Sequence, residues 1–176
     1  SGYRLILQAT AKFDNVRQKK RNTFAKTMYQ YRVTKYNPVF RDEKGRYTRE
    51  EWTSFGEVGE IVPVKEYIRV ETAYIEAALD FLRESDVVEL QIRGLENSKK
   101  LPTLLVEGKQ LSLKELASTF RKVLRNEIWC RFEGESTFIH FGWDYYMYVG
   151  VSKDCSEARI FAEKVTVPGG NEDSSF

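Results

Sequence analysis

Residues 128–151 read IWCRFEGESTFIHFGWDYYMYVGV, and this stretch decides the fold. It holds three short apolar runs, Ile128 to Glu133, Thr137 to Gly142 and Tyr145 to Val151. Gly134-Glu135-Ser136 separates the first two, and the Gly142-Trp143-Asp144 corner separates the next. Strand-length runs with connections this short pair as antiparallel hairpins. Strand alternation places Ile139 and Phe141 on one face of the middle run, and Phe138, His140 and Gly142 on the other.

Upstream, Ser112-Leu113-Lys114-Glu115 is a capping box, in which hydroxyl and carboxylate each satisfy a free amide. It opens a helix with Leu113, Leu116, Ala117, Phe120 and Leu124 as its apolar stripe. A longer helix is predicted over about 66–84, where Ile68, Val70, Tyr74, Ile75, Ala78, Leu79 and Leu82 keep the spacing of one buried stripe. Residues 87–94 alternate as a strand with Val88, Leu90 and Ile92 on one face. Residues 101–106 read as an edge strand because of Pro102. Nearer the start, residues 28–36 alternate cleanly, Tyr29, Tyr31 and Val33 against Gln30, Arg32 and Thr34, and residues 4–10 add a short strand. Residues 152–157 read as a turn and 160–167 as a last strand. A second capping box at Thr48-Arg49-Glu50-Glu51 predicts a short helix before Gly56 and Gly59.

These elements predict an α+β fold in which two amphipathic helices pack on one face of a mostly antiparallel sheet. At 176 residues the chain suits one domain. The domain is placed at 28–167, with a basic extension over 1–27 and a disordered tail over 168–176. Met28 reads as the start of the domain proper, and the opening Ser1-Gly2 as a pair left by tag removal.

Composition narrows the chemistry. Two cysteines and one histidine are too few for a disulfide framework or a structural zinc site, and neither a metal nor a cofactor is expected. No run of about 18 apolar residues is present, so no membrane span is expected, and the cysteine usage predicts reduced thiols in a cytoplasmic protein. The net charge of +2 hides a division. Residues 1–27 carry seven cations and one Asp, a net +6, which leaves −4 for the rest. Arg17, Lys19, Lys20 and Arg21 within that leader read as phosphate contacts to nucleic acid, or else as a solvated face or a leader docked on its own acidic body.

The aromatic-rich segment from Trp129 to Tyr148 is the candidate working surface. Trp143, Tyr145, Tyr146 and Tyr148 read either as core or as contact area with polar handles. Tyr145 and Tyr146 must diverge on a strand, so an exposed aromatic is expected among them. Trp143, Asp144, Tyr145 and Tyr146 are the candidate partner contacts, with Glu50 and Trp52 secondary. His140, oriented by Asp144 or Glu135, is the candidate general base of a small hydrolase or transferase, although no nucleophile motif accompanies it. Glu50, Glu51, Glu57 and Glu60 form an acidic cluster, in which Glu51 is explained as a helix cap.

The stretches YRVTKYNPVFRDEKGRYTREEWTSFGEVG at 31–59 and IWCRFEGESTFIHFGWDYYMYVG at 128–150 resemble a group of small bacterial proteins without assigned activity. The resemblance implies a stand-alone cytoplasmic domain and carries over no catalytic residue. By size and architecture alone, such a domain is similar to immunity proteins that neutralise toxins. The leading expectation is therefore a non-enzymatic protein-binding module of the inhibitor or immunity type. The alternatives are a nucleic-acid binder using the leader and an enzyme centred on His140.

Overall fold

The computed structural model describes residues 6–13 and 28–164. The basic cluster Arg17, Lys19, Lys20 and Arg21 and the tail over 168–176 lie outside the described residues.

In chain order the strands are β1 (Ile6–Phe13), β2 (Met28–Thr34), β3 (Glu89–Glu96), β4 (Gln110–Ser112), β5 (Trp129–Gly134), β6 (Thr137–Phe141) and β7 (Tyr146–Val151). The helices are α1 (Val64–Glu84), α2 (Leu113–Leu124) and α3 (Ser156–Lys164). The strands form one sheet in the order β1-β2-β7-β6-β5-β3-β4, antiparallel at every pairing. The α+β architecture stands, and among the described residues α3 is a helix that the sequence does not predict.

Strand alternation builds the core. Tyr31, Val33, Leu90, Ile92, Cys130, Phe132, Ile139, Phe141, Met147 and Val149 all turn to one face and are buried. The helices cover that face. Phe81 of α1 stacks on Tyr31 with centroids 5.0 Å apart, and Phe120 of α2 meets Phe132 and Phe141 edge-on.

Both long helices end the same way. Asp86 and Asn126 take positive φ, 58° and 55°, just past the last turn. Val87 N–H then donates to the Leu82 carbonyl and Glu127 N–H to that of Lys122, the six-to-one bond of a Schellman stop. Asp and Asn are the side-chain types that best tolerate this conformation after glycine. The Ser112 box holds as read: Glu115 accepts from the Ser112 amide at 3.0 Å and from its hydroxyl at 2.9 Å.

Four expectations are corrected. No helix starts at Thr48, because both members of that box are engaged elsewhere. The Thr48 hydroxyl donates to the Phe40 carbonyl, and Glu51 is held by Lys35 and Tyr47. The box forms later, where Glu57 accepts from the Thr53 and Ser54 amides at 2.7 and 2.8 Å and caps a single 3-10 turn, Phe55–Glu57. Residues 101–106 are not a strand. Asn97 bonds both backbone groups of Leu101 and pulls the segment into a loop, and pairing begins only at Gln110. Within 160–167, residues up to Lys164 belong to α3, whose buried side is Ala158 and Ala162. Its first turn is capped from α1: Glu84 accepts from the amides of Glu157 and Ala158. Finally, Ile68 and Val88 are exposed although the spacing assigned them to buried faces. Ile68 lies on the flank of α1, and Val88 falls in the gap before β3 begins.

Candidate binding surface around the β6–β7 turn

At one end of the sheet, the turn between β6 and β7 meets the chain that runs from β2 to α1. Its geometry is fixed by tyrosines. Tyr67 and Tyr74 lie two turns apart on α1 and reach the same neighbour, Tyr145. The Lys35 amide donates to the Tyr74 hydroxyl at 2.8 Å, which donates to the Tyr145 carbonyl at 2.6 Å. The Tyr145 hydroxyl donates to that of Tyr67 at 2.6 Å, which donates to the Leu124 carbonyl at 3.2 Å. The Tyr74 and Tyr67 hydroxyls each accept one hydrogen bond and donate another, and the Tyr145 hydroxyl donates one. Burial pushes the Tyr145 and Tyr74 hydroxyls far above their usual range, so they stay neutral.

Tyr145 is backbone-strained. Its φ is +61°, the left-handed region that a bulky residue seldom adopts. The Gly142 amide donates to the Tyr146 carbonyl at 2.7 Å, closing a three-residue hairpin loop whose last position requires that conformation. Glycine is the usual occupant. Here an aromatic is held there by Trp52, Tyr67 and Tyr74, with ring centroids 4.7, 6.0 and 5.3 Å away. The consequence for Trp143 is direct: it stands 81% exposed on a turn anchored from below.

The sequence-predicted contacts therefore divide. Trp143, Asp144 and Glu50 are exposed, and Tyr146 is half-buried beneath Arg41, which donates to its hydroxyl. Tyr145 and Trp52 are buried and touch each other, so as direct contacts they are corrected: they are the support, not the surface. Beside Trp143 lies a cleft of about 20 Å³ lined by Trp129, Phe141, Leu124 and Ser54. That holds roughly one water and is far below a small-molecule site.

Lys35, just past β2, continues the phase of Tyr29, Tyr31 and Val33 and is buried, a place that spacing alone does not give to a lysine. Its side chain is 0% exposed, 3.4 Å from Glu51 and over the rings of Tyr36 and Trp52 at 4.0 and 4.3 Å. Desolvation lowers its pKa from 10.5 to about 8, with Glu51 opposing the fall. Above about pH 8 the folded chain has released a proton that the unfolded chain keeps until about 10.5, so this group's contribution makes stability rise with pH across that window. Below pH 8 both states are protonated and folding carries the full cost of the buried ammonium. The gain across the window is about 3 kcal/mol. Urea unfolding of wild type and Lys35→Met at pH 7, 8.5 and 10 is expected to show this rise in wild type and its absence in the variant.

His140 lies on the sheet face opposite the helices. Its ring stacks on Phe138 with centroids 4.6 Å apart, and Nε2 is 3.4 Å from Glu133, without hydrogen-bond geometry. The carboxylate beside it is thus Glu133, where Asp144 or Glu135 was expected. Desolvation lowers its pKa from the ordinary value, Glu133 working against the shift and Arg131 with it. Cys130 and Cys155 are buried free thiols, pushed by desolvation up to about 12 and about 11. Neither is a thiolate near neutral pH.

The acidic cluster does not converge. Glu51 pairs with Lys35, Glu57 caps its 3-10 turn, and Glu50 and Glu60 face solvent. Among the described residues no group of three or more His, Cys, Asp or Glu side chains is placed to hold a metal ion. None of their helices is long and apolar enough to cross a membrane. No family model, no curated protein and no solved structure matches this chain.

Proposed function

We propose that this chain is a non-enzymatic binding module, of the inhibitor or immunity type, that holds a partner protein on the surface around Trp143. The observation that carries this reading is the exposed indole on a turn locked by a strained, buried tyrosine. Backbone strain persists only where surrounding structure enforces it, and it concentrates at functional positions. A tryptophan that protrudes from a rigid base loses little freedom on binding, which is the condition for a hot spot. Phe55, also exposed, meets Tyr67 edge-on below the same turn and extends the apolar area. Asp144 lies next to Trp143 in the turn, and the chain from residue 28 onward carries −4, so the fitting partner is basic.

The test uses the tagged full-length chain as bait. The polypeptide it recovers is then titrated against wild type and Trp143→Ala. The expected loss is at least about tenfold in affinity, with the thermal midpoint nearly unchanged because Trp143 packs against little. Equal affinity would remove this surface from consideration.

A further inference from the structure

The face of the sheet opposite the helices carries a second arrangement. Register aligns Arg32 of β2 with Tyr148 of β7, and Tyr148 with His140 of β6. The β5–β6 register, continued by one pair, puts Arg131 beside His140, and Arg131 pairs with Arg93 of β3. One row thus crosses five strands as Arg-Tyr-His-Arg-Arg, spanning about 19 Å at the usual strand spacing. Tyr148 is 40% exposed, and the side chains of Arg131 and His140 are 46% and 30% exposed. Among the described residues no helix or strand covers this row. The loop through Arg41 reaches Tyr146, and the loop through Glu107 accepts from the amides of Gly94 and Leu95 beside Arg93.

The row is broadened into an aromatic platform. Phe138 lies flat over Gly150, where any Cβ would overlap its ring, and stacks on His140. The glycine therefore allows a phenyl ring to lie along the sheet instead of standing up from it. His140, kept neutral by desolvation near pH 7, offers a ring face and not a second charge. Glu133 is held against Arg131 at 3.5 Å and Glu107 acts on Arg93 and Arg131, so the row sets three guanidinium groups against two carboxylates.

We propose that this row binds single-stranded nucleic acid, with Arg32, Arg93 and Arg131 taking backbone phosphates and bases stacking on Tyr148 and the Phe138–His140 pair. Charge complementarity selects an anionic chain. Ring faces interleaved with the arginines select one with unpaired bases, because stacking requires bases free of a duplex. The row differs in membership from the Trp143 surface, although at its Arg32 end the guanidinium lies 5.3 Å over the ring of Tyr146.

The test is fluorescence anisotropy of the full-length chain with labelled oligo-dT and oligo-rU of about ten nucleotides, in the size range such platforms occupy. Binding is expected, with a log–log salt slope of about −2, as three phosphate contacts on a single strand give. Tyr148→Ala is expected to weaken it about tenfold. The double variant Arg93→Ala/Arg131→Ala is expected to flatten the slope by about 1.4. Both variants alter exposed side chains, and unchanged thermal midpoints will show that they fold. Replacing Arg17, Lys19, Lys20 and Arg21 with alanine is expected to leave the Tyr148 effect in place. No binding, affinity indifferent to both row variants, or loss confined to the leader variant would each overturn the proposal. Equal binding of a DNA duplex or of poly-glutamate would overturn it too.

Discussion

Tyr145→Ala is expected to destabilise the fold by about 4 kcal/mol, a large part of the stability of a domain this size. The variant removes a ring packed among Trp52, Tyr67 and Tyr74 and the hydroxyl that donates to Tyr67. It gains nothing in return, because alanine at φ +61° carries the same left-handed penalty. Two companion variants separate the contributions. Tyr145→Phe keeps the ring and loses one hydrogen bond, at a cost of about 1 kcal/mol. Tyr145→Gly loses the ring but adopts positive φ freely, so it is expected to be more stable than the alanine variant by about 1 kcal/mol. Elsewhere glycine is the worse replacement, and the inverted order is the signature of strain at this position. Urea denaturation of the three variants measures it. A glycine variant less stable than the alanine one would mean that the turn is not strained, and the rigid base under Trp143 would lose its support.

What the sequence revealed follows the reach of each interaction. The three strands from 128 to 151, the 28–34 strand and the first two helices were legible because alternation and 3.6-residue periodicity are local signals backed by a buried face. Several misses turn on side-chain bonds that periodicity does not record. Thr48-x-x-Glu51 is a sound capping box by spacing, yet Lys35 and Tyr47 claim Glu51 and the Phe40 carbonyl claims Thr48. The helix at Ser156 carries its apolar stripe on alanines, too small to stand out beside Ile160 and Phe161, and its cap is Glu84 of another helix. Tyr145 and Tyr146 do diverge, as alternation requires. Which of them turns inward was fixed by the positive φ that closes the loop and by tyrosines on α1, neither of which spacing records.

The same contrast applies to surfaces. Trp143 could be singled out because a tryptophan in a turn is conspicuous in the sequence. The Arg32–Tyr148–His140–Arg131–Arg93 row could not, because its members come from five strands and meet only through register. Two of those pairings, β2 with β7 and β3 with β5, join segments far apart in the chain. Hairpin neighbours are readable from turn chemistry, whereas such long-range pairs depend on how the whole sheet closes over its core.

A buried ion pair gives the second large effect. Glu71 of α1 is 1% exposed and receives both arms of Arg125, at 2.7 and 2.8 Å, with Arg121 further off at 3.4 Å. Arg125 is the residue at which α2 stops, so this one pair fixes the end of α2 against α1. Arg125→Ala leaves a carboxylate buried with one distant cation, at an expected cost of about 3 kcal/mol. Glu71→Leu is expected to cost only about 1 kcal/mol, because Arg125, about one third exposed, can turn its guanidinium to water while the leucine fills the space. Replacing both by apolar residues, Glu71→Leu with Arg125→Met, is expected to recover most of the stability lost by Arg125→Ala. That pattern follows from where desolvation falls: the acid is trapped in the interior, and the base is not. Chemical unfolding of the three variants decides it. Equal losses for the two single variants would show that the pair stabilises by attraction alone, with no penalty from the buried carboxylate.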